Sequence, residues 1–366
     1  MASSDGVNLT TVGIVADPGL PAALAERLRH TLPGRLGLAA TEEVRWSVET
    51  DRAPFELMYP DSSALLEKAR QYVRGRPWDF VICVTDQPMY SGSDVVLARI
   101  DTTDRVALVS LPAFGGTGLR RRLTAAVVAI VSHFVAYAGG AGNDQPRPRR
   151  QLPVPGARMS STHPDPSRLD ITVSGRRATA RLLAGMVRVN RPWRLLRGLS
   201  TALAGALTGI AFGVLYSSIW SLGSALGPLR LAGVTVTAVA AMAVWLIVGH
   251  RLWEPQQPAT ERDREVRLRN ASTVATVTAG TVAFFLAMLA IALAAVTLVI
   301  PPPYLAGTLG RPVGVVDYLV IAVMSSVLGT IAGAVGSGLE DDTAVREATY
   351  AYRERERRRR LDNGDW

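Results

Sequence analysis

Charge is nearly absent from four long runs in the second half of this 366-residue chain, at residues 199–220, 229–249, 273–300 and 315–336. Lipid offers no partner to a bare backbone amide or carbonyl. Its hydrocarbon core, about 30 Å thick, therefore admits a chain as roughly 20 apolar residues of helix. Each run meets that length, and a water-soluble all-α core could account for one such helix but not for four. The sequence predicts an α-helical membrane domain of four transmembrane helices over residues 199–338, with the lipid bilayer as its first partner. Residues 1–11 lack the basic start and apolar stretch of a secretory signal, so no leader is expected to be removed.

Basic side chains are retained on the cytoplasmic side of a membrane. Arg181, Arg188, Arg191, Arg194 and Arg197 approach the first run, and Arg251, Arg262, Arg264, Arg267 and Arg269 lie between the second and third. Arg346, Arg353, Arg355 and Arg357 to Arg360 follow the fourth, whereas the two remaining connections hold only Arg230 and Arg311. Both termini are thus expected in the cytoplasm, with the protein in the plasma (inner) membrane. Pro192-Trp193 and Trp253 would mark headgroup depth on that face. Topology also accounts for the net charge of +9. No stacking aromatics interleave with the arginines, so nucleic acid is not an expected partner.

Ionisable groups are expensive in hydrocarbon and are kept there for transport or proton relay. The centres of the runs have none, and Asp317, Arg230 and His250 sit at their ends. A pump or coupled carrier is disfavoured, and a channel has no positive sign. What the runs do carry is a spacing of four: Gly205, Gly209, Gly213 and Ser217 in the first, Ser325, Gly329, Gly333 and Ser337 in the fourth. Such strips line one helix face, where missing side chains let another backbone approach and dispersion replaces the absent hydrophobic drive. They predict contact between the first and fourth helices, or alternatively a homo-oligomer.

Residues 1–138 read differently. Short β-branched runs alternate with helical patterns, which predicts an α/β N-terminal cytoplasmic domain with a parallel or mixed sheet. Strands are expected at 12–16, 44–48, 80–84, 95–100 and 106–109, the third an unbroken apolar run suited to a central strand. Helices are expected at 21–32, closed by Pro33-Gly34, at 62–74 behind a Ser62 cap, and at 119–137. About 125 residues suffice for one core.

Phe114-Gly115-Gly116-Thr117-Gly118 falls between a strand and a helix, where free amides and the helix dipole favour an anion. It lacks the Lys-Ser/Thr ending of the nucleotide P-loop and the dinucleotide pattern, so a flexible connection competes with phosphate binding. Asp17 and the pair Thr85-Asp86 each follow a strand. Carboxylates at strand carboxyl ends can line a ligand crevice, although Asp near proline is equally a turn residue. The single cysteine, Cys83, excludes an internal disulfide and a multi-cysteine metal site, and no cofactor is expected.

From Val81 to Tyr137 the order is a strand ending in Val84-Thr85-Asp86, paired strands ending in Val109-Ser110-Leu111, and a helix carrying His133. This layout resembles archaemetzincin-like zinc proteases. That family's helix bears H-E-x-x-H, two imidazoles for zinc and a glutamate that activates water. Here it reads His133-Phe134-Val135-Ala136-Tyr137, with neither the glutamate nor the second histidine. The resemblance implies a related fold without hydrolysis or metal. The alternative is a helix histidine meeting a local hydroxyl or carbonyl.

Residues 139–168, with six prolines, predict a mobile tether. Within the juxtamembrane stretch 169–198, residues 169–173 suit a strand. Residues 178–189 suit a helix on the anionic leaflet, or a short extension leading to the first span. Residues 339–366 form a charged tail, acidic at its start and basic at its end, as a solvated helix would be. Arg181-Leu182-Leu183-Ala184-Gly185-Met186-Val187, Asn190-Arg191-Pro192-Trp193, Tyr216-Ser217-Ser218-Ile219-Trp220 and Gly336-Ser337-Gly338-Leu339-Glu340-Asp341-Asp342 together look like a family of actinobacterial membrane proteins, over nearly the full length. That likeness implies fold and location and brings no activity. The function expected is a non-enzymatic, membrane-anchored binding or scaffold protein whose head takes a cytoplasmic protein or a small anion. An enzyme acting on a small anionic substrate at the strand-end crevice is the runner-up, and a channel comes third.

Overall fold

A computed structural model describes residues 9–38, 45–52, 70, 75–92, 94–138, 154–161, 167–190, 200–253 and 262–338. The chain divides into two units, one through Val189 and one beginning at Asn190. The expected helix at 62–74 (Arg70 apart), the elbow at 191–193 and the charged tail lie outside the described residues.

The first unit is an α/β layer. Its strands are β1 (Leu9–Ala16), β2 (Arg45–Arg52), β3 (Phe80–Thr85), β4 (Met89–Ser91), β5 (Asp94–Asp101), β6 (Val106–Ser110), β7 (Arg158–Ser160) and β8 (Arg168–Val173). They form one sheet in the order β2-β1-β3-β6-β5-β8-β7, with β4 paired to β5. The first four positions are parallel, and β5, β8 and β7 run antiparallel to their neighbours. Every residue of β3 is buried, as an apolar strand covered on both faces must be. Gly13, in mid-strand, has no Cβ because the Trp78 ring lies where one would be, 2.2 Å away.

Among the described residues three helices cover the sheet: α1 (Leu20–Gly37), α2 (Leu119–Ala138) and α3 (Arg176–Asn190). Helix α1 does not stop at Pro33-Gly34 but runs on for another turn. Leu32 and Leu36 are both buried on its core side, and that packing offsets the hydrogen bond Pro33 cannot make. The stretch expected as a tether contains β7 and a buried Val154. Helix α3 lays Ala178, Leu182, Gly185, Met186 and Val189 into the head's own core, not onto a leaflet. Their spacing makes one continuous face, and β8 paired to β5 delivers that face to the sheet.

The second unit holds α4 (Ser200–Leu215), α5 (Ser217–Gly249), α6 (Arg262–Val299), α7 (Pro302–Leu309) and α8 (Val315–Ser337). Among the described residues four helices are long and apolar enough to cross a membrane: α2, α5, residues 266–299 of α6, and α8. Helix α2 nevertheless commits its apolar face, from Leu119 to Phe134, to the head's core. The run at 199–220 is not one helix. Tyr216 takes an extended conformation (φ −97°, ψ 108°), so α4 has 16 residues and spans about 24 Å. Trp220 fills the break by donating its Nε1–H to the Gly213 carbonyl at 3.0 Å. The connection expected at 221–230 is helical as well, and the bend falls at Gly227 (φ 71°), where only glycine is comfortable ahead of Pro228.

The glycine strips of α4 and α8 face each other. A Cβ added at Gly205 would lie 2.7 Å from the Ala332 carbonyl oxygen, one at Gly209 2.7 Å from that of Leu328, and one at Gly213 2.3 Å from Ser325 Oγ. Gly329 and Gly333 return the contact against the carbonyls of Ala206 and Ala202. Ser217 is not part of the strip: the break at Tyr216 carries it onto α5, where it is exposed. Gly336 closes the strip toward the carboxyl end of α8, with Thr201 Oγ1 donating to its carbonyl at 3.0 Å, while Ser337 is buried and donates to the Ala334 carbonyl.

Candidate functional site

The carboxyl ends of β1 and β3 bring Asp17, Thr85 and Asp86 into one neighbourhood. Ala16 pairs with Val84, the Asp17 N–H donates to the Val84 carbonyl at 2.9 Å, and the Leu111 N–H donates to that of Thr85. Strand order reverses here, with β2 on one side of β1 and β3 on the other, so this is the switch point where open α/β sheets take ligands. Asp17 is buried and its carbonyl accepts the Ala22 N–H, which makes it the turn into α1. Thr85 Oγ1 accepts the Gln87 N–H, and Ser110 Oγ donates to the Gln87 carbonyl at 2.5 Å. Gln87, which the sequence does not single out, and Ser110 at the end of β6 thus organise the crest between β3 and β6. Asp86 is half-buried.

The glycine loop keeps different company. After Leu111 the chain makes a short 3-10 turn, Pro112–Phe114, and reaches Gly115 (φ 87°) and Gly118 (φ 64°). Positive φ at both positions turns the intervening amides into a concave run ahead of α2, a geometry that suits anions. Gly115 is buried, Gly116 half-buried, Thr117 and Gly118 exposed. Three arginines converge on the loop. Arg122 Nη1 donates to the Phe114 carbonyl at 2.7 Å, and Arg188 Nη1 donates to that of Gly116 at 2.6 Å. The Arg181 stem crosses Gly115, 2.6 Å from where a Cβ would stand.

Helix α3 reaches the loop because Gly185 meets the Pro112 carbonyl, 2.0 Å from an added Cβ, and Ala184 covers Gly116. Arg181, Ala184, Gly185 and Arg188 fall at i, i+3, i+4 and i+7, so one helix face supplies both the small contacts and the two cations. Arg181 Nη1 is buried without a hydrogen-bond partner, although the side chain as a whole keeps part of its surface in water. Burial, and after it the neighbouring Arg122, hold the Arg181 guanidinium below its ordinary pKa. Among the described residues no carboxylate pairs with Arg122, Arg181 or Arg188. A guanidinium stays charged in a protein, so the three form a positive cluster.

From sequence, the helix that carries Arg181 and Arg188 suits the anionic leaflet or a short extension to the first span, and neither expectation brings them to Arg122. Their seven-residue separation on an amphipathic helix was the available signal. Phe134, at the glutamate position of the zinc-protease helix, is buried and stacks on Phe80 with centroids 5.6 Å apart and planes at 4°. An ionised carboxylate there would be unpaired in the core. Compared with known proteins, the chain matches no family model, no curated protein and no solved structure.

Proposed function

We propose that this chain is a multi-pass protein of the plasma membrane with both termini in the cytoplasm, and that its head is a non-enzymatic module binding a small anion where the Phe114–Gly118 loop enters α2. The orientation rests on the arginine asymmetry around the apolar runs. The binding reading rests on one observation: Arg181 places a buried, unpartnered N–H beside Arg122, and among the described residues no carboxylate pairs with either. A half-desolvated like-charge pair is costly, and an anion with fixed oxygens offsets the cost while taking charge-assisted hydrogen bonds.

Two measurements test this. Thermal unfolding of the full chain in neutral detergent should shift upward with inorganic phosphate at constant ionic strength. A ligand at 100 times its dissociation constant adds about 2.7 kcal/mol. Arg181→Gln should lose most of that shift, and an unshifted wild-type transition refutes the anion site. For orientation, a cysteine introduced near Met1 should react with an impermeant maleimide only after the cells are lysed. Cys83 will not interfere: burial, and then Asp17, push its thiol far above the ordinary range.

A further inference from the structure

We infer that anion binding and the docking of α3 are one linked event: an oxyanion of the phosphate class fastens α3 to the Phe114–Gly118 loop, and α3 leaves the loop more readily without it. This rests on the anion reading above and adds the regulation of that site.

The cluster is assembled from two elements far apart in the chain; Arg188 and the Gly116 carbonyl it reaches are 72 residues apart. With α3 undocked, the loop would offer Arg122 and the amides at the start of α2. With α3 docked, it gains Arg181 and Arg188. A ligand that touches both elements binds the docked state more tightly, and by reciprocity its binding favours docking by the same factor.

Docking has favourable and unfavourable parts. Leu182, Met186 and Val189 enter the core, and Gly185 permits backbone contact with Pro112. Against this, Arg181 loses water from Nη1 and comes under the repulsion of Arg122. The anion acts on the second part alone, so it tunes a contact that the apolar face already makes. A phosphate-type group suits the cluster because it carries about two negative charges near neutral pH and several acceptor oxygens, enough for guanidiniums arriving from both elements. A halide offers one charge and no fork-shaped acceptor. Helix α3 is also the last described element before α4 in the chain, so its docking sets where the head ends.

Hydrogen exchange of α3 amides, read on the full chain in neutral detergent with and without inorganic phosphate, tests the linkage. The melting transition is followed on the same samples, and a second arm uses nanodiscs with and without phosphatidic acid. Exchange across residues 182–189 should slow by about tenfold at saturation, within the usual range of coupling between sites. Arg181→Gln should abolish the slowing, and Arg120→Gln, an exposed neighbour, should retain it. Slowing by inorganic phosphate supports a free oxyanion, and slowing only with phosphatidic acid supports a lipid phosphomonoester; both sustain the linkage. A melting shift without slowed exchange overturns the linkage and leaves the anion site standing. Neither response overturns both. Where Arg181→Gln does not fold, the wild-type titration alone decides.

Discussion

In the bundle, Gly205, Gly209 and Gly213 let α4 lie along the backbone of α8. In the head, Gly185 does the same for α3 against Pro112. The bundle contact joins two uncharged helix faces, so close approach gains dispersion and leaves no charge to compensate. The head contact presses Arg181 of α3 toward Arg122. The same device is complete in itself in one unit and incomplete in the other. Buried polar groups divide likewise. The head buries a charged pair, Arg99 and Asp170, joined by Nε to Oδ1 at 2.9 Å and Nη2 to Oδ2 at 3.1 Å. Three hydroxyls buried in the bundle turn back on their own helices: Ser326 to the Ala322 carbonyl, Thr330 to that of Ser326, and Thr281 to that of Val277.

The largest effect is expected where the head differs most from the bundle. Asp170→Leu leaves Arg99 buried without its bidentate partner and should destabilise the chain by about 3–5 kcal/mol. Adding Arg99→Met should recover much of that loss, since a well-packed apolar pair can replace a buried ion pair. Thermal unfolding of the single and double variants in detergent measures both. A double variant as unstable as the single one would mean that the head requires this charge pair, and the contrast with the bundle would harden.

Next come the glycines. Gly209→Val puts side-chain carbon where the Leu328 carbonyl and Gly329 Cα already stand, at 2.7 and 2.8 Å from a Cβ. Backbone is the obstacle and cannot swing aside, so the cost should reach the upper end of the usual 1–3 kcal/mol for overpacking. Gly185→Ala meets an equally rigid obstacle and should cost about 2 kcal/mol by the same argument. The two separate in their response to phosphate: the Gly185 variant should lose phosphate stabilisation because α3 no longer seats Arg181, and the Gly209 variant should keep it. Melting curves with and without phosphate distinguish them.

These contrasts were unequally legible in the sequence. The strips on α4 and α8 were readable because a period of four is fixed by helix geometry, and the unbroken run in β3 because a strand buried on both faces needs no polar residue. The break at Tyr216 was hidden, since an apolar run has the same composition whether or not it bends, and it removed Ser217 from the strip. Helix α3 was misplaced for a physical reason: an amphipathic helix with arginines on its polar side satisfies a leaflet and a protein core equally. Only the pairing of β8 with β5, a contact between residues some seventy positions apart, decides between them. The arginine cluster depends on that same contact. Asp17, Thr85 and Asp86 could be grouped because strand ends of neighbouring parallel strands converge whatever lies between them in sequence.

The smallest expected effect bears on what a hydroxyl contributes between helices that a serine strip brings together. Ser325 is fully buried, its Oγ has no hydrogen-bond partner, and it stands against Gly213, 2.3 Å from where a Cβ would be. Its value to the contact is therefore its size, with at most a weak Cα–H···O interaction added. Ser325→Ala should change stability by less than about 0.5 kcal/mol, in line with the small mean for hydroxyl contacts between membrane helices. Ser325→Val should be costly, because the added carbon has only the Gly213 backbone to displace. If Ser325→Ala instead costs several times that amount in thermal unfolding, the hydroxyl has a polar role in the assembled bundle. The bundle would then resemble the head in burying a group that something else must complete.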